Sequence, residues 1–180
     1  MENLFSLKGK VVIVTGGNGG IGKGIAEGLA SAGSDIVVAA RNEAKTTDAV
    51  KDIKEKYGVR VLGVKMDVSQ EESIQAGVKQ ALDEFGHINI LVNNAGVNIR
   101  KMPEEYTVEE WDWILGINLR GAFLCAKTVY PAMKEAGGGK IINIGSRDIT
   151  LRLGKSSRLW HKQDGNSVID LHIGTRLGQG

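Results

Sequence analysis

The stretch TGGNGGIG, residues 15 to 22, contains five glycines in eight residues. It follows the apolar run KVVIVT and opens a segment in which Ile21, Ile25 and Leu29 recur at helical spacing with Ala26 and Ala30 beside them. This pattern predicts a buried strand, a tight turn and a helix with one apolar face. Glycines in such a turn let the backbone approach a ligand closely, and the start of the helix offers unpaired N–H groups and a positive dipole end. The stretch therefore predicts a turn that binds a pyrophosphate group.

Four further runs have the length and composition of β-strands. They are apolar almost throughout, as are strands buried on both faces of a parallel sheet. The runs are DIVVAA, RVLGVKMDV, INILVN and KIINIGS, beginning at residues 35, 60, 88 and 140. Helical patterns separate them, so the order predicts an α/β fold, a Rossmann-like doubly wound parallel sheet with strand order 3-2-1-4-5. Ligands are then expected beyond the carboxyl ends of the strands.

Two of the helical segments carry start signals. Ser69 with Glu72, and Thr107 with Glu110, have the spacing of a capping box, in which each side chain accepts from the backbone N–H of the other residue. The first pair predicts a helix that ends at Gly86. The second predicts one long helix that ends before the glycines at 137–139.

The composition limits the classes of function. With 180 residues and 42% hydrophobic content, the chain predicts one compact domain. Its 23 basic and 21 acidic residues give a formal charge of +2 without a long basic run, which favours a small-molecule ligand over a nucleic acid. Cys125 is the only cysteine, which excludes an internal disulfide and a cysteine-based zinc site, and its apolar neighbours indicate a core thiol. No export signal or membrane span is apparent, so we expect a cytoplasmic protein without a membrane partner.

Further motifs follow in a fixed order along residues 1–146. Asp67 and Val68 end the third predicted strand, NNAG at 93–96 ends the fourth, Asn118 lies in the long helix, and Ser146 ends the fifth strand. Together with the glycine turn they resemble the short-chain dehydrogenase/reductase family. Within it, ALDEFGHINILVNNAG and PAMKEAGGGKIINI look most like members acting on sugar acids, such as the gluconate 5-dehydrogenase and 2-deoxy-D-gluconate 3-dehydrogenase groups.

The resemblance implies hydride transfer between a nicotinamide cofactor, NADP or NAD, and a carbonyl or alcohol, with no metal. In relatives an asparagine like Asn118 helps to position the catalytic lysine through water, and a serine like Ser146 holds the substrate oxygen. The family usually forms homo-oligomers. The cofactor-binding positions that the resemblance implies are Gly16, Asn18, Gly20, Ile21, Gly22, Asp67, Val68, Asn94, Ala95 and Gly96.

The end of the second strand bears on the choice of cofactor. NAD-specific relatives place an aspartate there, which accepts from the ribose 2'-OH. Here Ala40 takes that place and Arg41 follows. A guanidinium can pair with a 2'-phosphate, so we expect NADP in preference to NAD. The alternative is that Arg41 is a solvated surface residue.

The tyrosine and lysine of the family's proton transfer are missing from their expected positions. A phenol with an ordinary pKa of about 10 needs a nearby ammonium to act near neutral pH. In relatives the pair follows the serine, at positions that hold Leu159 and Gln163 here. YPAMK at 130–134 has the right residues, but it precedes Ser146 and is interpreted as part of a helix surface.

The composition changes after Ser146. Residues 147–180 contain no alanine, no glutamate and no sustained periodicity, so we divide the chain into a dinucleotide-binding Rossmann domain at 1–146 and an atypical tail at 147–180. A coding frame shifted by one base permits Tyr-Gly-Ile-Ser-Lys over residues 159–163, and the glycine is forced by the codons of Trp160 and His161. We therefore expect the tail to be frameshifted from about Arg147. A natural divergent tail is the alternative.

A frameshifted tail leaves the fold incomplete at its C-terminal side. The fifth strand then has an unpaired edge and apolar helix faces are uncovered, which predicts poor solubility and makes an oligomer doubtful. Hydride transfer by such a chain is expected to be poor or absent. A cofactor-binding module without turnover and a non-functional product are the alternatives.

Overall fold

A computed structural model describes residues 5–145 and places five parallel strands in one sheet of order β3-β2-β1-β4-β5. This confirms the predicted α/β class, the doubly wound topology and all five strands. The strands are β1 (Val11–Thr15), β2 (Asp35–Ala40), β3 (Val61–Lys65), β4 (Ile90–Asn93) and β5 (Lys140–Asn143).

The helices cover both faces of the sheet. Buried residues of α1 and α2 pack on one face, and buried residues of α3 and α5 pack on the other. The helices are α1 (Gly20–Ser31), α2 (Glu43–Tyr57), α3 (Glu71–Phe85), α4 (Val108–Leu115) and α5 (Gly121–Glu135), with a short 3-10 turn at Pro103–Glu105 and a π turn at Gly116–Arg120.

Strand β1 shows why the apolar runs are continuous. Val11 and Ile13 pack into the core on the α3 and α5 side, whereas Val12 and Val14 pack into the core on the α1 and α2 side. Successive side chains of a strand point to opposite faces, so a strand covered on both faces needs apolar residues at every position. All four side chains are 0–1% exposed.

Helix α1 packs on the sheet mainly through the small residues of its predicted apolar face. Gly22, Ala26 and Ala30 are buried, while Ile25 and Leu29 pack only in part against the core. Ile21 is 72% exposed, so its assignment to a buried face was wrong. Small side chains allow the helix axis to lie closer to the sheet, and this close approach brings the glycine turn onto the strand ends.

The two predicted capping boxes have different outcomes. Thr107 accepts from the backbone N–H of Glu110 and Glu110 accepts from that of Thr107, which confirms the second box. The first was wrong, because α3 begins at Glu71 after Gln70 and has no side-chain cap. The hydroxyl of Ser69 donates instead to Asp67 Oδ1, at 2.7 Å.

The predicted long helix is divided by the π turn at Gly116–Arg120. Directly after the turn, a Cβ at Gly121 would lie 2.9 Å from the carbonyl oxygen of Val68, so glycine allows the helix to pass the end of β3 closely. Single π turns inside helices often occur at functional positions. This one carries Asn118 and Ile117 towards the carboxyl ends of the strands.

The outer surface of α5 carries the YPAMK motif. Tyr130 is 44% exposed and Lys134 is also exposed, which confirms the interpretation of the motif as helix surface. On the inner side of the same helix, Cys125 is 2% exposed and burial raises the pKa of its thiol to about 12. Cys125 is therefore the packed core thiol that the sequence predicted.

Large apolar side chains are exposed on α4 and along the segment that follows it. Between 46% and 70% of each is accessible, in the set Val108, Trp111, Trp113, Leu119 and Phe123. Strand β5 ends the sheet on one side within the part of the chain that the structure describes. Uncovered helix faces were expected from the sequence, and poor solubility stays a prediction. Across residues 5–145, no helix has the length and apolar composition needed to cross a bilayer.

Candidate functional site

A cleft of about 320 Å³ opens where β1, β2, β3 and β4 end. This is the edge of the sheet at which the topology predicted a ligand. The residues that line it and were predicted for the site are Gly16, Asn18, Arg41, Asp67, Val68, Asn94, Ala95 and Gly96. The lining residues that sequence reasoning missed are Ala39, Asn42, Lys45, Met66, Val97 and Ile117. Ala40, considered from the sequence only as the residue in the place of an NAD-specific aspartate, also lines the cleft.

Glycines shape the turn between β1 and α1. Gly16 and Gly20 have φ of +65° and +51°, a region that favours glycine. Gly22 is buried beneath the turn, where a Cβ would overlap the carbonyl oxygen of Gly16 and Nδ2 of Asn94. Gly20, Ile21 and Gly22 form the first turn of α1 and lie outside the lining of the cleft. That turn has no acidic residue and no side-chain cap, so its first N–H groups are available to an anion.

The hydroxyl of Thr15 joins the ends of β1 and β4. It accepts from the backbone N–H groups of Asn94 and Ala95, both at 3.0 Å, and donates to the carbonyl oxygen of Val92. Asn94 Nδ2 donates back to the Thr15 carbonyl oxygen at 3.0 Å. Thr15 is 1% exposed, so water cannot replace these bonds, and one buried hydroxyl holds two walls of the cleft together.

Replacing Thr15 with valine is expected to lower the free energy of unfolding by about 2–4 kcal/mol, because each buried donor left unsatisfied costs about 1–3 kcal/mol. Thr15→Ser is the matched control, since it keeps the hydroxyl and loses one methyl group, worth about 1 kcal/mol. Urea unfolding of the three proteins measures the difference. Equal losses in the valine and serine variants would show that the hydroxyl bonds contribute little.

The side chain of Asn18 fixes the glycine turn to the start of α2. Its Nδ2 donates to the carbonyl oxygen of Asn42 at 3.2 Å and to Oγ1 of Thr46 at 3.1 Å. Asn42 in turn caps α2, because its Oδ1 accepts from the N–H of Lys45. The sequence contained this signal: an asparagine follows the β2 run, and Gly58 stands at the C-cap position sixteen residues later.

The carboxylate of Asp67 is held in its charged form at the floor of the cleft. Partial burial acts to raise its pKa, but the N–H and hydroxyl of Ser69 and the positive charge of Arg41 outweigh that effect and lower the pKa below its usual value. Asp67 is therefore an acceptor near neutral pH. Within residues 5–145, no group of three or more His, Cys, Asp and Glu side chains is placed to hold a metal ion.

Asn118 clamps the segment that follows β4. Its Oδ1 accepts from the N–H of Val97 and its Nδ2 donates to the carbonyl oxygen of Val97, both at 2.8 Å. A Cβ at Gly96 would lie 3.3 Å from Asn118 Oδ1, so glycine permits the close approach. The side-chain amide is used to hold the cleft wall, and a role towards a catalytic lysine stays a prediction. Ser146 lies outside the described residues.

Asn93 ties β4 to its neighbours below the cleft. Its Nδ2 donates to Asn143 Oδ1 at 2.9 Å and to the carbonyl oxygen of Ala122 at 3.3 Å, which joins β4 to β5 and α5. Its Oδ1 is buried and has no hydrogen-bond partner among the residues that the structure describes. The first asparagine of NNAG therefore supports the sheet, while Asn94, Ala95 and Gly96 border the cleft.

Many known proteins are similar to this chain, and three of them are described here. It is 41% identical over 150 residues to short chain dehydrogenase/reductase astE of Aspergillus oryzae, covering 82% of this chain and 58% of that protein. It is 39% identical over 143 residues to 2-dehydro-3-deoxy-D-gluconate 5-dehydrogenase of Escherichia coli, covering 79% and 55%. The crystal structure of L-sorbose reductase from Gluconobacter frateurii, complexed with NADPH and L-sorbose, matches with a TM-score of 0.74 and 39% identity, covering 77% and 52%.

The chain thus spans between 52% and 58% of the length of these three proteins. Residues 10–152 match the family described as short chain dehydrogenase, a range that includes every wall of the cleft. The glycine turn, the NNAG segment and the strand order agree with that match, and the chain belongs to the short-chain dehydrogenase family of oxidoreductases.

Proposed function

We propose that the cleft binds NADP in preference to NAD. The binding of a dinucleotide rests on the packing of Gly22 beneath the turn at Gly16, because a side chain at Gly22 would fill the space into which the turn folds. The preference for NADP rests on Arg41, which lines the cleft and can pair with a 2'-phosphate. The available N–H groups at the start of α1 suit a pyrophosphate. The similar L-sorbose reductase was crystallised with NADPH, which supports the same choice of cofactor.

In this proposal each predicted cofactor-binding residue has a specific role. Gly16 and the first turn of α1 (Gly20, Ile21 and Gly22) would hold the pyrophosphate, and Asn18 would keep the turn against α2. Asp67 and Val68 would contact the adenine. Arg41 would pair with the 2'-phosphate, and Asn94, Ala95 and Gly96 would border the nicotinamide half. When bound, the cofactor supplies or accepts a hydride at the substrate carbon.

We propose a sugar or sugar acid as substrate for the complete form of this enzyme. Two of the similar proteins are named for such compounds, a dehydro-deoxy-gluconate and L-sorbose. The reacting group would be a carbonyl or an alcohol, with Ser146 holding its oxygen. Initial rates with gluconate, 2-dehydro-3-deoxy-gluconate and sorbose test the substrate class.

We also propose that this chain transfers hydride poorly or not at all, since Leu159 and Gln163 stand where the family has its tyrosine and lysine. The family match ends at residue 152, which supports a frameshift near Arg147. Nucleotide sequencing around the Ser146 codon tests it. A verified frame in a gene whose near-identical relatives share the tail would contradict the frameshift.

Fluorescence titration with NADPH tests the central proposal. We expect saturable enhancement of nicotinamide emission with the purified chain and weaker binding of NADH. Binding without turnover is the result expected of a cofactor-binding module. If neither dinucleotide binds to a chain that melts cooperatively, the proposed function is wrong.

A further inference from the structure

Two cations at the mouth of the cleft stand apart from the ion pairs around them. Arg41 and Lys45 both line the cleft and are exposed. Neither has a carboxylate within 4.0 Å in the described part of the chain, where nine other cation–carboxylate contacts occur. Asp67 lines the same cleft and interacts with Arg41 through longer-range attraction. Two positive charges that line one cleft without a carboxylate partner favour an anion there.

The acidic residue closest to these cations in sequence is tied elsewhere. Glu43 opens α2, between Arg41 and Lys45 in the chain, and could neutralise either of them. It pairs instead with Lys65 on the edge strand β3, at 2.7 Å. This pair keeps a carboxylate from competing for Arg41 and Lys45.

The backbone that carries the two cations is fixed. Asn42 lies between them and caps α2 through its bond from the N–H of Lys45, at 3.0 Å. Asn18 donates to the Asn42 carbonyl oxygen and so links this corner to the glycine turn. The ammonium of Lys45 is therefore presented from a rigid first helical turn to the same cleft as the glycine turn.

We propose that Lys45 is a specificity-determining residue that, together with Arg41, binds the 2'-phosphate of NADPH. This inference rests on the proposed function, because it requires a dinucleotide in the cleft. Arg41 offers a planar fork and Lys45 a compact charge, so the two can contact different oxygens of one phosphate. The Lys65–Glu43 pair preserves this site by holding Glu43 away.

The test compares dissociation constants for NADPH and NADH in the full chain. Lys45→Ala is expected to weaken NADPH binding about tenfold, the loss of one charge-assisted contact, and to leave NADH within about twofold. The same change should weaken competition by 2',5'-ADP and leave that by 5'-AMP unaltered. Lys51→Ala is the matched control, since Lys51 lies on the same helix, pairs with Glu55 and does not line the cleft.

The outcomes separate this inference from the proposed function. If wild-type protein binds NADPH and the Lys45 variant shows the same preference over NADH, Lys45 does not read the phosphate, and the cofactor proposal still stands. Equal weakening of both dinucleotides would also overturn the assignment. If wild-type protein binds neither, the proposed function and this inference both fail. A cooperative melt of the Lys45 variant at the wild-type temperature excludes misfolding as the cause.

Discussion

Replacing Gly22 with alanine is expected to abolish measurable binding of NADPH and NADH and to lower the free energy of unfolding by about 2–4 kcal/mol. The added Cβ would overlap the carbonyl oxygen of Gly16 and Nδ2 of Asn94. The first of these belongs to the backbone of the turn and the second to the bond that Asn94 donates to Thr15. Relief of the overlap must therefore move the turn, the helix or the clamp between β1 and β4.

The same helix offers a matched control. A Cβ at Gly24 would meet nothing within 4 Å, and Gly24 is exposed. Gly24→Ala is therefore expected to raise the free energy of unfolding by about 0.5–1 kcal/mol and to leave dinucleotide binding unchanged. Urea unfolding and NADPH titration of both variants give the comparison. Wild-type affinity in the Gly22 variant would show that the turn tolerates a side chain there and would remove the main support for the cofactor proposal.

The sheet could be predicted from sequence because its strands are buried on both faces. Each strand is then a continuous apolar run, and the right-handed connection rule orders the runs. Helix α2 was not individually predicted, because only Thr46, Ala49 and Ile53 are buried along its length and the apolar period is weak. The prediction that Ile21 lies on the buried face of α1 was wrong for a related reason. Helical spacing identifies the residues that can share a face, but it does not show that the helix contacts the sheet mainly through Gly22, Ala26 and Ala30.

The glycines at the cleft could be predicted because the backbone conformation there requires that residue type. A lining residue such as Lys45 was missed because only the folded structure brings its side chain to the cleft. Gly16 and Gly22 need a turn conformation and close packing, which leave a mark in the sequence. Lys45 lies four residues after Arg41 on a helix that was not recognised, so nothing marked it as a wall of the cleft. Ser69 fitted a capping box by spacing, but α3 begins one residue later, after Gln70, and the hydroxyl of Ser69 donates to Asp67.

The structure also separates the YPAMK motif from the cleft. Asn118 clamps a cleft wall from the π turn, whereas Tyr130 lies twelve residues further along, which is about 18 Å at 1.5 Å per helical residue. Tyr130 and Lys134 do not line the cleft. A phenol there cannot reach a hydroxyl held at the carboxyl ends of the strands. Tyr130 is therefore not placed to donate a proton in the proposed reaction.

Replacing residues 147–180 by the product of the shifted reading frame is expected to raise the turnover rate with NADPH and a sugar or sugar-acid substrate by about 10²–10⁴-fold, the usual contribution of general acid–base catalysis. Among the products that this frame permits, the one used here has tyrosine in place of Leu159 and lysine in place of Gln163. The ammonium would lower the pKa of the phenol towards neutrality, and Ser146 would hold the substrate oxygen.

Two variants of the restored chain identify the proton donor. Phenylalanine at the new tyrosine should return the rate to that of the present chain, whereas Tyr130→Phe should leave it unchanged. A restored chain that binds NADPH but gains no activity would refute the assignment of the proton donor to the new tyrosine, and a rate lost with Tyr130→Phe would refute the interpretation of YPAMK as helix surface.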